Sequence, residues 1–345
     1  MMREHVTSQP TMQDVARLAG VSSKTVSNVI NSHPNVSVAT KTRVEGAIAQ
    51  LGYKLNLAAR NLRSGRSGVI GLAIPSLTVA YFAELAEAAI TAAEQYGLVV
   101  QIERTGSLER ERALLDSPRL QHIDGLIFNP MDHHAEELRS VDLTVPTIVL
   151  GDHPVGGATI HISTDQRAAA ALATEQLLLT GRRRIAAIGA RSEDTHGGAA
   201  QRLDGYRSVL HRAGIDGDDA LIVEADPWNQ VNGATAMLEL LRRGVSFDAV
   251  FAFNDSLALG AMRALGDAGR RVPADVAVIG IDNIAESKYS LPSLTTVDLG
   301  SRQIAETAVR LLAEQFAHDA QPSPQRLLVD FTLVPRESTA IRTES

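Results

Sequence analysis

Apolar positions repeat along this chain with two different periods, and the change from one to the other falls just before Val69. In the first stretch Met12, Val15, Ala16 and Ala19 share one face of a helix. Thr11 with Asp14 three residues on reads as a capping-box start, and Gly20 ends the helix because glycine takes the left-handed cap conformation without a Cβ penalty. Val21 follows as a wedge, Ser22 caps a second helix, and Val26, Val29 and Ile30 point inward from it. Ser32–Val38 reads as a polar loop. Thr40–Leu51 is a third helix with Val44, Ala47, Ile48 and Leu51 on one side, ended by Gly52.

From Val69 short apolar runs alternate with amphipathic segments. The runs predict strands over 69–74, 98–103, 125–130, 147–152, 185–190, 221–226, 249–254 and 276–281. The segments between them predict helices Tyr81–Tyr96, Gln166–Leu179, Arg202–Ala213, Val231–Arg243 and Asp255–Ala268. Strands that are apolar almost throughout belong to parallel sheets covered on both faces, and this many are better housed in two lobes than in one. Thr159–Asp165 and Ser287–Asp298 read as crossovers. Thr295–Leu299 and Leu327–Val334 read as late strands closing the lobes, with a helix at Ser301–Phe316 between them. The expected organisation is a tail at 1–10, an all-α three-helix head at 11–55, a short helix and linker at 56–68, and an α/β two-lobed body at 69–340.

Charge sharpens that division. The chain of 345 residues has a formal charge of −7, yet residues 1–66 hold nine Lys/Arg against three acids, net +6, leaving 24 basic and 37 acidic residues, net −13, for the rest. A basic head on an acidic body points to a polyanion as partner of the head alone. The sequence has no cysteine, no run of 18 apolar residues to span a membrane, and no apolar core in residues 1–10 that would make a signal peptide. A cytoplasmic protein is expected.

Ser23, Lys24, Ser27 and Asn28 form the outer face of the second helix, with no apolar residue among them. A solvated face and a base-edge-reading face both fit that composition. Leu62, between Arg60 and Arg63, has little apolar surface nearby: it either packs on its own domain or serves as a minor-groove wedge. In open α/β sheets ligands bind beyond the carboxyl ends of strands. By that rule Ser76, Tyr81, Phe82, Asp152, Asp165, Asn254 and Asp282 are candidates, with Arg202 opening a helix and Trp228 following a strand. The three aspartates also fit turns or helix caps, and the two aromatics fit ordinary helix core. Carboxylates, an amide, an Arg fork and an indole together suit a polyhydroxyl ligand. No dinucleotide-binding glycine motif, phosphate-binding loop or Ser-nucleophile elbow occurs, so no enzyme, cofactor or metal is expected.

The motifs DVARLAGVSSKTVSNVIN (14–31), AARNLRSG (58–65), VFAFNDSLALGAMRALGDAGRRVPADVAVIGIDN (250–283) and PSLTTVD (292–298) resemble the LacI family of bacterial transcription regulators over essentially the full length. The resemblance implies a helix-turn-helix head, a hinge helix, and a two-lobed effector domain similar to periplasmic binding proteins (type I). It also implies a homodimeric repressor on double-stranded operator DNA, controlled by a small-molecule effector. It assigns Ser23, Lys24 and Asn28 to base reading, Thr11, Ser22, Thr25 and Ser27 to phosphate contact, and Ala59 and Leu62 to the minor groove. It supports Asp165, Arg202, Trp228, Asn254 and Asp282 as pocket positions. Many members carry Arg where this chain has Asn28, and Pro where it has Leu55, so adenine reading and a less stiff hinge are expected. A sugar or polyol is the expected effector. The segment AYFAE (80–84) resembles the purine-responsive branch and keeps a nucleobase or nucleoside open; a transport-type binding protein is the alternative of a different class.

Overall fold

The computed structural model describes residues 10–30, 36–53, 66–131, 138, 143–151, 160–194, 196–318 and 325–340. The chain divides into two compact units, residues 1–67 and 68–345.

The first unit is built from α1 (Met12–Ala19), α2 (Ser23–Ile30) and α3 (Val38–Leu51). The capping box is formed: Asp14 N–H donates to Thr11 Oγ1 at 3.3 Å, and Thr11 N–H to Asp14 Oδ2 at 2.9 Å. Gly20 takes φ 64°. Helix α3 starts two residues before Thr40 because Ser37 is its N-cap, accepting from Thr40 N–H at 3.3 Å. Val15, Ala16, Ala19, Val26, Val29, Val44 and Ala47 are buried together, with Met12, Val21, Ile30, Ile48 and Leu51 packed around them. Removing these side chains from water is what holds so short a set of helices.

The second unit contains two six-stranded sheets among the described residues. The first runs β11 (Gln325–Leu328), β5 (Ile160–Ser163), β4 (Thr147–Leu150), β3 (Gly125–Phe128), β1 (Val69–Ile74), β2 (Val99–Arg104), all pairs parallel. The second runs β12 (Thr332–Val334), β10 (Thr295–Asp298), β9 (Ala277–Ile281), β8 (Ala249–Ala252), β6 (Ile185–Ala190), β7 (Ile222–Glu224), with only β12 antiparallel. Strands β6, β8 and β9 are buried at every position, as the unbroken apolar runs require.

Helices α4 (Ala80–Gln95), α5 (Leu108–Leu115) and α11 (Ser301–His318) belong to the first lobe. To the second belong α6 (Gln166–Leu179), α7 (Gly198–Arg212), α8 (Gln230–Arg242), α9 (Asp255–Asp267) and the short α10 (Ala285–Tyr289). The chain passes between lobes at Thr164–Asp165, at Leu299–Gly300 and at Val329–Phe331. Three expectations are corrected here. Ser287–Asp298 stays within the second lobe, holding the end of α10 and β10, and the crossing follows it at Leu299–Gly300. Thr159–Asp165 holds a strand, β5, before it crosses; and Leu327–Val334 is not one strand, since Leu328 ends a strand in one sheet and Thr332 begins one in the other.

Candidate functional site

Two surfaces carry candidate chemistry. On the head, Ser23 and Lys24 are exposed on α2, and Ser27 and Asn28 are half-buried. The hydroxyls expected at phosphate are partly engaged within the head. Ser22 Oγ accepts from Thr25 N–H at 3.1 Å and shares a hydrogen bond with Thr25 Oγ1 at 2.9 Å, while Thr11 Oγ1 donates to Asp14 Oδ2 at 2.6 Å. The Thr11 hydrogen bonds, with Arg17 alongside, hold the Asp14 carboxyl below its ordinary range. Ala59 and Leu62 lie outside the described residues.

On the body, a cavity of about 330 Å³ lies between the lobes, at the small end of the roughly 300–1,000 Å³ that ligand sites occupy. Its lining includes seven of the expected residues: Ser76, Tyr81, Phe82, Arg202, Trp228, Asn254 and Asp282. The first lobe contributes an apolar wall. Tyr81 and Phe82, at the start of α4, meet edge to face at 5.2 Å and 74°, with Met131, Leu150 and Ile162 beside them. Ser76 Oγ is tied to Thr78, accepting from its N–H at 3.1 Å.

The second lobe contributes the polar wall, centred on Arg202, which is 6% exposed. Its Nε and Nη2 donate to Gln166 Oε1 at 2.9 and 2.7 Å, its Nη1 donates to the Phe253 carbonyl, and Asp282 Oδ1 stands 3.9 Å from Nη2. The guanidinium lies over Trp228, 4.9 Å from the ring centroid, a cation–π arrangement. Trp228 is itself fixed by Nε1–H donating to Gly189 O at 3.0 Å and by an edge contact with Phe253. Asn254 caps α9, its Oδ1 accepting from Leu257 N–H at 2.8 Å. Asp282 is buried, with φ 116°. Burial pushes its carboxyl up to about 8, and the Arg202 charge pulls it back only in part.

Asp165 stands apart. It is exposed, caps α6 by accepting from Ala168 N–H at 2.9 Å, and is not among the lining residues, whereas its neighbour Gln166 is. Asp152 lies outside the described residues. The sequence reading missed Ser163, Gln166, Arg191, Gln201 and Asp226, all in the lining. Three of them, Ser163, Arg191 and Asp226, sit at or just beyond strand ends, so the strand-end rule applied evenly would have found them. Beyond the cavity the lobes also touch where Ala285 N–H donates to Glu84 Oε1 at 2.7 Å, and burial raises the Glu84 carboxyl.

Residues 11–56 match the model of bacterial regulatory proteins, lacI family, and residues 174–339 match that of a periplasmic binding protein-like domain. The HTH-type transcriptional regulator CelR of Thermobifida fusca is 34% identical over 342 residues, covering 96% of this chain and 98% of the relative. The chain belongs to the LacI family. Among solved structures, a complex of the transcriptional regulator CelR with cellobiose superposes on this LacI-family protein with a TM-score of 0.69 at 31% identity, covering 95% of this chain and 99% of that one. The lac repressor dimer bound to operator and the anti-inducer ONPF gives 0.78 at 29%, covering 96% and 99%. The helix-turn-helix head and the two-sheet α/β body are those of the LacI-like fold, as the sequence motifs implied.

Proposed function

We propose that this LacI-family protein is a sugar- or polyol-responsive DNA-binding transcriptional regulator, a cytoplasmic repressor that binds operator DNA as a homodimer and does not turn its ligand over. Residues 11–55 serve as DNA-binding head, 56–68 as hinge, and 69–340 as effector and dimerisation domain. Lys24 and Asn28 read bases with Ser23 in support, Thr11, Ser22, Thr25 and Ser27 lie at phosphates, and Ala59 and Leu62 enter the minor groove.

One observation carries the effector class: a buried guanidinium 4.9 Å from the centroid of an indole ring, with Asp282 and Asn254 beside it. That set offers planar donors and a carboxyl to neighbouring hydroxyls. Ser76, Tyr81 and Phe82 close the opposite side. The edge-to-face pair of Tyr81 and Phe82 does not make two parallel plates for a flat base, which favours a sugar over a nucleobase. Cellobiose in the CelR complex supports the same class.

A thermal-shift panel of sugars, polyols and nucleobases on the full chain tests this. A true effector at 100 times its Kd raises stability by about 2.7 kcal/mol and changes operator affinity. On the cognate operator, Asn28→Ala costs on the order of 1–3 kcal/mol and relaxes preference at one base pair. Tight sugar binding with no influence on DNA would favour a transport-type binding protein, and consumption of the sugar would mean an enzyme.

A further inference from the structure

Two polar groups on facing walls of the cavity have no hydrogen-bond partner among the described residues. Ser163, the last residue of β5 in the first lobe, is 4% exposed. Its carbonyl accepts from Val329 N–H at 2.8 Å, which fixes the backbone, while its Oγ is buried and unpaired. Arg191 follows β6 in the second lobe. Its Nη2 binds Asp226 Oδ1 at 2.7 Å, and its guanidinium stands 4.7 Å from the Trp228 centroid, on a ring that Arg202 also approaches. The Arg191 Nε–H is likewise buried and unpaired. Both residues line the cavity, whereas the other residues with such atoms, Thr105 and Gln315, do not.

Native proteins pair nearly all their buried polar groups, because an unpaired one loses its water and gains nothing in return. Two unpaired groups in one cavity wall pair therefore mark contacts made to a ligand. Other polar residues of the lining are already engaged: Arg202 by Gln166 and Phe253, Asn254 by Leu257, Ser76 by Thr78. Ser163 and Arg191 differ in that each waits for an oxygen from its own side.

We propose that Ser163 and Arg191 are the specificity-determining contacts that decide which bound sugar acts as an effector. A ligand with one hydroxyl placed for Ser163 Oγ and another oxygen placed to accept from Arg191 Nε–H is held by both lobes and fixes their relative angle. A ligand that satisfies one of them binds without switching. The inference rests on the sugar-responsive reading above.

The test uses the full-length wild type, Ser163→Ala, Ser163→Thr and Arg191→Lys, with D-ribose, D-galactose, D-glucose and cellobiose as probes, followed by calorimetry, melting curves and operator titration. For the probe that binds wild type, Ser163→Ala is expected to lose about tenfold in affinity. It should melt at or above the wild-type temperature without sugar, since it removes an unpaired hydroxyl. At saturating sugar its operator response shrinks. Ser163→Thr, which keeps the hydroxyl, retains more of both. Arg191→Lys, which keeps the charge but not the Nε–H geometry, loses about tenfold or more. Wild-type affinity in Ser163→Ala would mean that the hydroxyl serves only a buried water, and would overturn the proposal with the sugar reading intact. A loss of affinity and of melting temperature together would mean packing, and overturns it too, as would a full operator response at saturation. If no probe binds wild type, the sugar reading falls and this proposal with it.

Discussion

Asp282 holds the most unusual backbone in the cleft. A non-glycine residue at φ 116° is sterically disfavoured, and the next residue, Asn283, is also left-handed at φ 56°. The turn is held from outside. Asp282 N–H donates to Val297 O at 2.9 Å, Asn283 Nδ2 to Asp298 Oδ2 at 3.0 Å, and Arg336 Nη2 to Asn283 Oδ1 at 2.5 Å. The result is a carboxyl forced into the cavity wall at the cost of its hydration, and its pKa rises to about 8 for that reason. Between the ordinary value of 3.8 and about 8 the folded chain keeps a proton that the unfolded chain has released, so stability falls as pH rises through this window. Asp282→Asn imitates the protonated form. Between pH 5 and 7 it is expected to lose about 1–3 kcal/mol less stability than wild type. The remaining slope includes Asp255, which burial pushes up to about 7 against hydrogen bonds from Thr296, Ser287 and Ile284, and Glu84, which burial also raises. Denaturant titrations across that range check it, and parallel curves for the two proteins would refute the assignment.

At the scale of elements, the chain declares itself where local chemistry is sufficient and conceals what depends on distant partners. The runs VIGLAI and IAAIGA became β1 and β6 residue for residue, and Gln166–Leu179 became α6, because an apolar run or an Asp cap carries its own boundary. Helix α7 begins four residues before the expected Arg202. Its glycine-rich start looks like loop, but the Asp194 carboxylate accepts from the N–H groups of Gly197, Ala199 and Ala200 and caps it from outside. Strand β5 was hidden by its short, mixed pattern IHIS, and the switch of sheet inside Leu327–Val334 leaves no local trace at all. The cleft was legible in the same degree. Strand ends yielded Asn254 and Asp282, and helix and strand boundaries yielded Arg202 and Trp228. Gln166 and Gln201, both within helices, matter only because of what they face. The crossings themselves depend on one glycine. Gly300 has φ 72°, its N–H donates to Asp298 Oδ1 at 2.7 Å, and a Cβ there would meet Val329 Cγ1 at 2.8 Å and Asp330 O at 3.1 Å, on a neighbouring crossing. Thr164 Oγ1, on the other crossing, donates to Leu299 O at 3.0 Å. Gly300→Ala is therefore expected to cost about 1–3 kcal/mol of stability and to alter the change in operator affinity that a sugar produces more than the sugar affinity itself. Chemical denaturation and operator titration in saturating sugar measure the two effects separately.

Taken as a whole molecule, the chain separates two kinds of recognition by charge. The head holds +6 over residues 1–66 and the rest −13. Binding to DNA releases counterions in proportion to the cations set against phosphate, so its logarithm falls linearly with the logarithm of salt concentration. The hydroxyls proposed at phosphate, on Thr11, Ser22, Thr25 and Ser27, are neutral and add nothing to that slope; Lys and Arg of the head supply it. A dimer setting at least three cations per head against phosphate is expected to lose about a thousandfold in operator affinity between 50 and 200 mM salt. The cleft meets a neutral ligand inside a wall where Arg191 pairs with Asp226, and where Arg202 is buried beside an Asp282 that burial keeps mostly protonated at neutral pH. No counterions are released there, and sugar affinity should change by no more than about twofold over the same range. Operator and sugar titrations on one preparation at four salt concentrations decide the matter. A flat operator response would remove the basic head as the DNA surface, and a steep sugar response would mean that the effector is an ion.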